Sequence, residues 1–207
     1  MRRDAWVLAV SGAFFGVIVG WIMGSQGASG PAQTRPPEPT AQSTAGTGAP
    51  PSTPRVVDDN RVRTLEAAAA RDAGDPAPRI ELGDLFFDAE RYADAIRWYE
   101  AAFALDSTNP NLSTDLGVSY YYTDDPDRAL AQFARSLEVD PTHVKTLLNT
   151  GIVRAFGKQD PGGAVEAWQQ VVDLAPESPE GRAARQAIDA MRGAHPEFAS
   201  TDPPSGD

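Results

Sequence analysis

Leu82-Gly83, Leu116-Gly117 and Thr150-Gly151 stand 34 residues apart. The small residues Ala95, Ala129 and Ala164 keep step with them, as do the aromatics Tyr99, Phe133 and Trp168. A fixed period near this length is what a stacked helical-hairpin solenoid leaves in a sequence, because each unit buries its apolar face only against its neighbours. The chain is therefore expected to present an extended groove to a partner.

Not all of the 207 residues are available to that stack. Met1-Arg2-Arg3 precedes an uncharged stretch from Ala5 to Gly24. As a helix it would span about 30 Å, the thickness of a bilayer hydrocarbon core. Trp6 and Trp21 fall near its ends, where amphipathic rings suit the membrane interface. The arginines on its N-terminal side place residues 1–4 in the cytoplasm and the rest of the chain across the inner membrane, on the periplasmic side. A cleaved signal peptide competes with this reading, with Ser25-Gln26-Gly27 as a small-x-small site. The length of the apolar run and its bulky end at Trp21-Ile22-Met23 favour an uncleaved, single-pass anchor. Gly12, Gly16, Gly20 and Gly24 form a stripe on one face of that helix, suited to close packing against a second helix or a second copy. Residues 25–55 contain seven prolines among Gly, Ser, Thr, Gln and Ala, a composition expected to remain a disordered linker.

Charge narrows the partners. Residues 56–207 hold 14 Lys/Arg against 27 Asp/Glu, a difference of −13. Such a field disfavours nucleic acid and favours a basic protein or peptide. There is no cysteine, so disulfides, thiolate metal sites and cysteine nucleophiles are excluded. His143 and His195 stand apart, with no Glu-x-x-His spacing, and no Gly-rich phosphate loop is present. No catalytic residue, metal site or cofactor is expected, and the chain does not read as an enzyme.

Three units follow from the period: residues 76–109, 110–143 and 144–178. Asp75-Pro76 and Asn109-Pro110 read as helix starts, with a capping side chain ahead of a proline. The turn Lys158-Gln159-Asp160-Pro161-Gly162 is expected to hold one extra residue, because Ala164 and Trp168 come 35 residues after Ala129 and Phe133. Residues 56–75, with Val62 and Leu65, should form an N-terminal cap helix. Residues 179–193, with Ala184, Ala187, Ile188 and Met191 on one face, should form a C-terminal one. The tail from 194 to 207 should fray.

The pattern Leu82/Gly83/Phe86/Ala95/Tyr99/Ala102, repeated as Leu116/Gly117/Tyr120/Ala129/Phe133/Ser136/Pro141 and Leu147/Gly151/Ala164/Trp168/Val171/Pro176, resembles the tetratricopeptide repeat family. Arg79, Ser107, Ser113 and Arg154 depart from it. The resemblance implies an all-α solenoid of about three repeats with flanking caps, in which aromatics fill the space between successive hairpins. It also implies a concave groove lined by the first helix of each unit. By register those positions are Asp84, Phe87 and Asp88, then Val118, Tyr121 and Tyr122, then Ile152, Ala155 and Phe156. Some members hold a C-terminal carboxylate with Lys and Asn on these helices. Only Lys145 and Asn149 sit suitably here, whereas the first two units offer Glu81, Asp84 and Asp115.

The architecture resembles bacterial membrane-anchored repeat proteins, including the repeat domains of cytochrome c biogenesis factors. The expected function is a tethered adaptor that binds a protein or peptide during assembly of an envelope complex. The alternative is a structural oligomeriser acting through the glycine-striped helix, as a homodimer or with another membrane protein.

Overall fold

Side chains placed just ahead of the apolar runs start the helices. Asp58, Asn109, Asp125 and Asp160 each accept from backbone N–H groups of the first turn that follows. Ser178 does the same for Gly181. These contacts satisfy donors that a helix leaves without partners at its N-terminus.

A computed structural model describes residues 56–194. The expected anchor at 5–24, its glycines Gly12, Gly16, Gly20 and Gly24, the linker at 25–55 and the tail beyond 194 lie outside the described residues. No helix among the described residues is long and apolar enough to cross a membrane.

Those residues form eight α-helices and no strand. In chain order they are α1 (Asp59–Arg71), α2 (Ala77–Asp88), α3 (Tyr92–Phe103), α4 (Pro110–Tyr122), α5 (Pro126–Val139), α6 (Val144–Ile152), α7 (Pro161–Leu174) and α8 (Pro179–Ala194). Each helix packs on the next, and α4 and α8 also touch α6. The hairpins α2–α3, α4–α5 and α6–α7 thus stack in series between α1 and α8.

The glycines of the 34-residue pattern have a specific steric reason. A methyl group on Gly83 would collide with the Tyr99 ring, one on Gly117 with Phe133, and one on Gly151 with Trp168. Each ring therefore lies against the bare backbone of the first helix in its own hairpin. The glycine contact of each aromatic is thus made within its own hairpin. The rings are essentially inaccessible to solvent, and the Trp168 indole N–H donates to the Leu148 carbonyl at 3.1 Å.

The turn inside each hairpin also repeats. Glu90, Asp124 and Gln159 adopt positive φ, at 60°, 63° and 53°. The next residue donates its N–H to the carbonyl three positions after the glycine: Arg91 to Phe86, Asp125 to Tyr120 and Asp160 to Arg154. The spacing from donor to acceptor is one residue longer in the third hairpin than in the other two. The extra residue therefore sits between Arg154 and Gln159, in the π-helical turn Val153–Gly157. The following turn does not hold it. A widened helical turn absorbs an insertion inside the helix and leaves the turn geometry intact.

Residues that depart from the repeat pattern act as polar pins. Arg79 donates to the carbonyls of Asp75 and Ala69, tying α2 back to α1. Ser113 donates to the Gln132 carbonyl at 2.9 Å. Asp106 accepts from the Thr108 N–H just as Asp140 accepts from Thr142, both at 2.9 Å. The closing turn is thus the same whether Ser107 or Pro141 occupies it.

Candidate functional site

The first helices α2, α4 and α6 carry the residues expected to line a groove. Val118, Phe87 and Tyr121 are half-buried and pack against the apolar core, while Tyr122, Ala155 and Phe156 are half-buried as well. Asp84 and Asp88 are exposed. Ile152 is only 4% exposed and belongs to the core, so it cannot present a surface to a partner. The reason is local: α6 is the shortest helix and is enclosed by α4, α5, α7 and α8.

Four rings gather at the end of the first two hairpins. Tyr92 and Tyr122 stack with centroids 4.4 Å apart and an interplanar angle of 10°. Phe87 meets both edge-on, at 5.3 Å and 5.9 Å, and Tyr121 lies 6.1 Å from Tyr122. Edge-on and offset arrangements at these distances are the favourable ones for aromatic quadrupoles. The π-helical turn of the third hairpin carries Gly157 close to both Tyr121 and Pro126, leaving no room for a side chain there. Burial raises the phenol pKa of Tyr92 and Tyr122, and that of Tyr121 is pushed up to about 12 by burial and by Asp124. These phenols remain neutral donors at any physiological pH.

Tyr92 is absent from the register argument because it sits on a second helix. It stands where the other units place Pro126 and Pro161, and that departure was its signal in the sequence.

Beside the rings the surface is acidic. Asp84 accepts a hydrogen bond from the Tyr99 hydroxyl at 2.7 Å. Burial of its carboxyl end raises its pKa, and Asp115 and Asp88 push it the same way against the lowering effects of the Tyr99 hydrogen bond and Lys145. Three carboxylates from α2 and α4 thus share one field. Lys145 from α6 pairs with Asp115 at 2.7 Å, and Arg61 from α1 pairs with Glu81. Asn149 is 8% exposed and donates to the Lys145 carbonyl. Both polar residues suited to grip a terminal carboxylate are therefore already engaged within the fold. Among the described residues no group of His, Asp or Glu is arranged to hold a metal ion.

A second region is different in kind. A cavity of about 420 Å³ opens between the second helices α3 and α5, with Leu116 and Tyr120 of α4 in its lining. Arg128 and Arg135 of α5 also line it. Neither belonged to the groove expected from the sequence.

Two models of the repeat match the chain: one described as TPR repeat over residues 83–124, the other as tetratricopeptide repeat over residues 114–179. No curated protein matches it significantly. Solved structures share the fold at low identity. A crystal structure of MamA is 16% identical with a TM-score of 0.54, over 67% of this chain and 88% of that one. The first repeat domain of Spaghetti (RPAP3), bound to the HSP90 peptide SRMEEVD, is 22% identical with a TM-score of 0.52, over 70% of this chain and 98% of that one. The Sgt2 repeat domain from Aspergillus fumigatus is 21% identical with a TM-score of 0.54, over 64% and 87%. Residues 83–179 thus match models of the tetratricopeptide repeat, and these solved structures share the helical-hairpin fold.

Proposed function

We propose that this protein is a membrane-tethered adaptor whose first-helix face binds a basic segment of a protein partner. One observation carries the reading: Phe87, Tyr121 and Tyr122, joined by Tyr92 from the start of α3, form an aromatic platform on α2 and α4, the helices that carry the carboxylates of Asp84, Asp88 and Asp115. An aromatic anchor site edged by acids suits a segment with an apolar or aromatic side chain next to Lys or Arg. The contrast with Spaghetti supports this charge preference. The peptide bound there reads SRMEEVD, and its carboxylates would be repelled by this face. Repeat domains of this family are typically interaction modules without enzymatic activity.

In this reading residues 5–24 anchor the chain in the inner membrane and residues 25–55 give the periplasmic domain reach. The partner complex is an envelope assembly such as cytochrome c maturation. Support for the anchor is the uncharged stretch with Arg2 and Arg3 before it. Support for the pathway is likeness of architecture alone. Alkaline extraction and protease protection test the tether, and c-type cytochrome levels in a deletion strain test the pathway. The stripe Gly12, Gly16, Gly20 and Gly24 favours a second role as a homodimer contact. Replacing Gly16 and Gly20 with Ile should abolish self-association in an in-membrane dimerisation assay.

The adaptor itself is tested by in-cell crosslinking of the full-length chain. Wild type should capture a defined protein that a Tyr92→Ala/Tyr122→Ala variant loses. Capture unchanged by that variant would overturn the reading.

A further inference from the structure

The cavity between α3 and α5 has a chemistry unlike the rest of the domain. Its apolar part comes from Phe103, Leu116 and Tyr120, and its rim from Arg128 and Arg135 with Glu100 opposite. Arg128 is held in place. Its guanidinium lies 3.9 Å from the Tyr120 ring centroid and donates to Glu100 at 2.8 Å and to the Tyr120 hydroxyl at 2.7 Å. The Tyr120 hydroxyl donates to the same Glu100 carboxylate at 2.6 Å. Arg135 is positioned 5.7 Å over Phe103 and makes no ion pair among the described residues. In a domain with an excess of 13 acidic residues, this rim carries two arginines against one glutamate.

Spacing sets what can bind. Arg128 and Arg135 are seven residues apart on α5, two turns, so they point the same way about 10.5 Å apart along the axis. Ala131 lies between them and leaves the floor open. A single phosphate or carboxylate cannot bridge that distance. Three residues of polyproline-type extended chain advance about 9 Å and bring the side chain back to the same face, which sets two acidic side chains within reach of the two guanidiniums. One of the two residues between them would drop an apolar side chain over Phe103 and Leu116. The volume is that of an ordinary small-ligand cleft, enough for a few side chains and not for a helix.

We propose that this cavity is a second docking site, on the face formed by the second helices. It takes a polyproline-type acidic segment of a partner protein, with two carboxylates three residues apart and an apolar side chain at one of the two positions between them. The domain then offers opposite charge preferences on its two faces and can hold two partner segments at once.

The test is a display selection of random peptides on the immobilised full-length chain, with Arg135→Glu and Ala131→Trp as counter-targets. Arg135 and Ala131 are both exposed, so neither change disturbs the core. Enriched peptides should carry two acids three residues apart with an apolar residue at one of the positions between them. Their anisotropy-measured affinity should fall about tenfold or more in each variant and stay unchanged in Tyr122→Ala. Absence of that pattern among wild-type binders would overturn the proposal. So would affinity that survives Arg135→Glu and Ala131→Trp, or that falls only in Tyr122→Ala.

Discussion

At the scale of single residues, the glycine and ring pairs do the most to hold each hairpin. Gly117 shows why: an added methyl meets both the Phe133 ring and the Ala129 carbonyl. Gly117→Ala should therefore cost about 1–3 kcal/mol in urea denaturation, the range for overpacking a filled core, despite the better helix propensity of alanine. These pairs were legible in the sequence because both members recur at one period. Ile152 was misread for the complementary reason. Register assigns a face, but only the packing of α8 near α6 decides whether that face stays open. His143 is another residue whose role depends on tertiary neighbours. Its Nδ1 lies 2.6 Å from the Thr146 hydroxyl and its Nε2 3.2 Å from the Asn111 side-chain oxygen. Burial lowers its pKa from the ordinary 6.5, with Lys145 acting the same way and Asp140 and Asp115 opposing. Folding thus favours the neutral ring. Its contribution is whole above the unfolded-state value and shrinks as pH falls through that value toward the lower folded one. Wild type should lose stability relative to His143→Gln between about pH 7.5 and about pH 5. Parallel urea midpoints across that window would remove His143 from the account.

At the scale of elements, the junctions between hairpins are not equivalent. Thr114, Ser136 and Thr146 are inaccessible to solvent and meet at 2.6 Å, 2.8 Å and 3.2 Å, joining α4, α5 and α6. Thr114 and Ser136 also donate to the Pro110 carbonyl. The positions 34 residues earlier are Ile80, Ala102 and Leu112, all apolar. A buried polar cluster that is fully bonded specifies its own pairing, and losing one member strands the others. Thr146→Val alone should cost about 1–3 kcal/mol in thermal or chemical denaturation, and adding Thr114→Ile and Ser136→Ala should recover part of that loss, the remainder belonging to the His143 ring nitrogen that Thr146 no longer meets. The π-helical turn teaches a related lesson about legibility. Counting residues revealed one too many in the third unit and assigned it to the turn at Lys158–Gly162, since a count alone does not distinguish a longer turn from a widened helix. The backbone bond from Asp160 to Arg154 shows that the helix absorbed it and the turn did not.

At the scale of the whole molecule, the solenoid was legible because a repeat states the same packing solution several times, and independent noise at Arg79 or Ser107 cannot hide it. The second-helix cavity was not legible, since Arg128 and Arg135 look like solvated surface until Tyr120 and Phe103 are seen beneath them. The acidic field should act on any basic partner from a distance. Association with a Lys-rich peptide should slow about tenfold or more between low and physiological salt, with a much smaller change in dissociation, in stopped-flow measurements. The hydroxyl triad has a further consequence, at the level of the gene. Repeat arrays lengthen and shorten by unequal crossing-over between like stretches of DNA. A second copy of the first unit inserted after Asn109 would meet apolar residues on both sides. A second copy of the second unit inserted after His143 would set Thr114 and Ser136 against Leu112, with no hydroxyl to receive them. Growth of this array is therefore open at one seam and closed at the next.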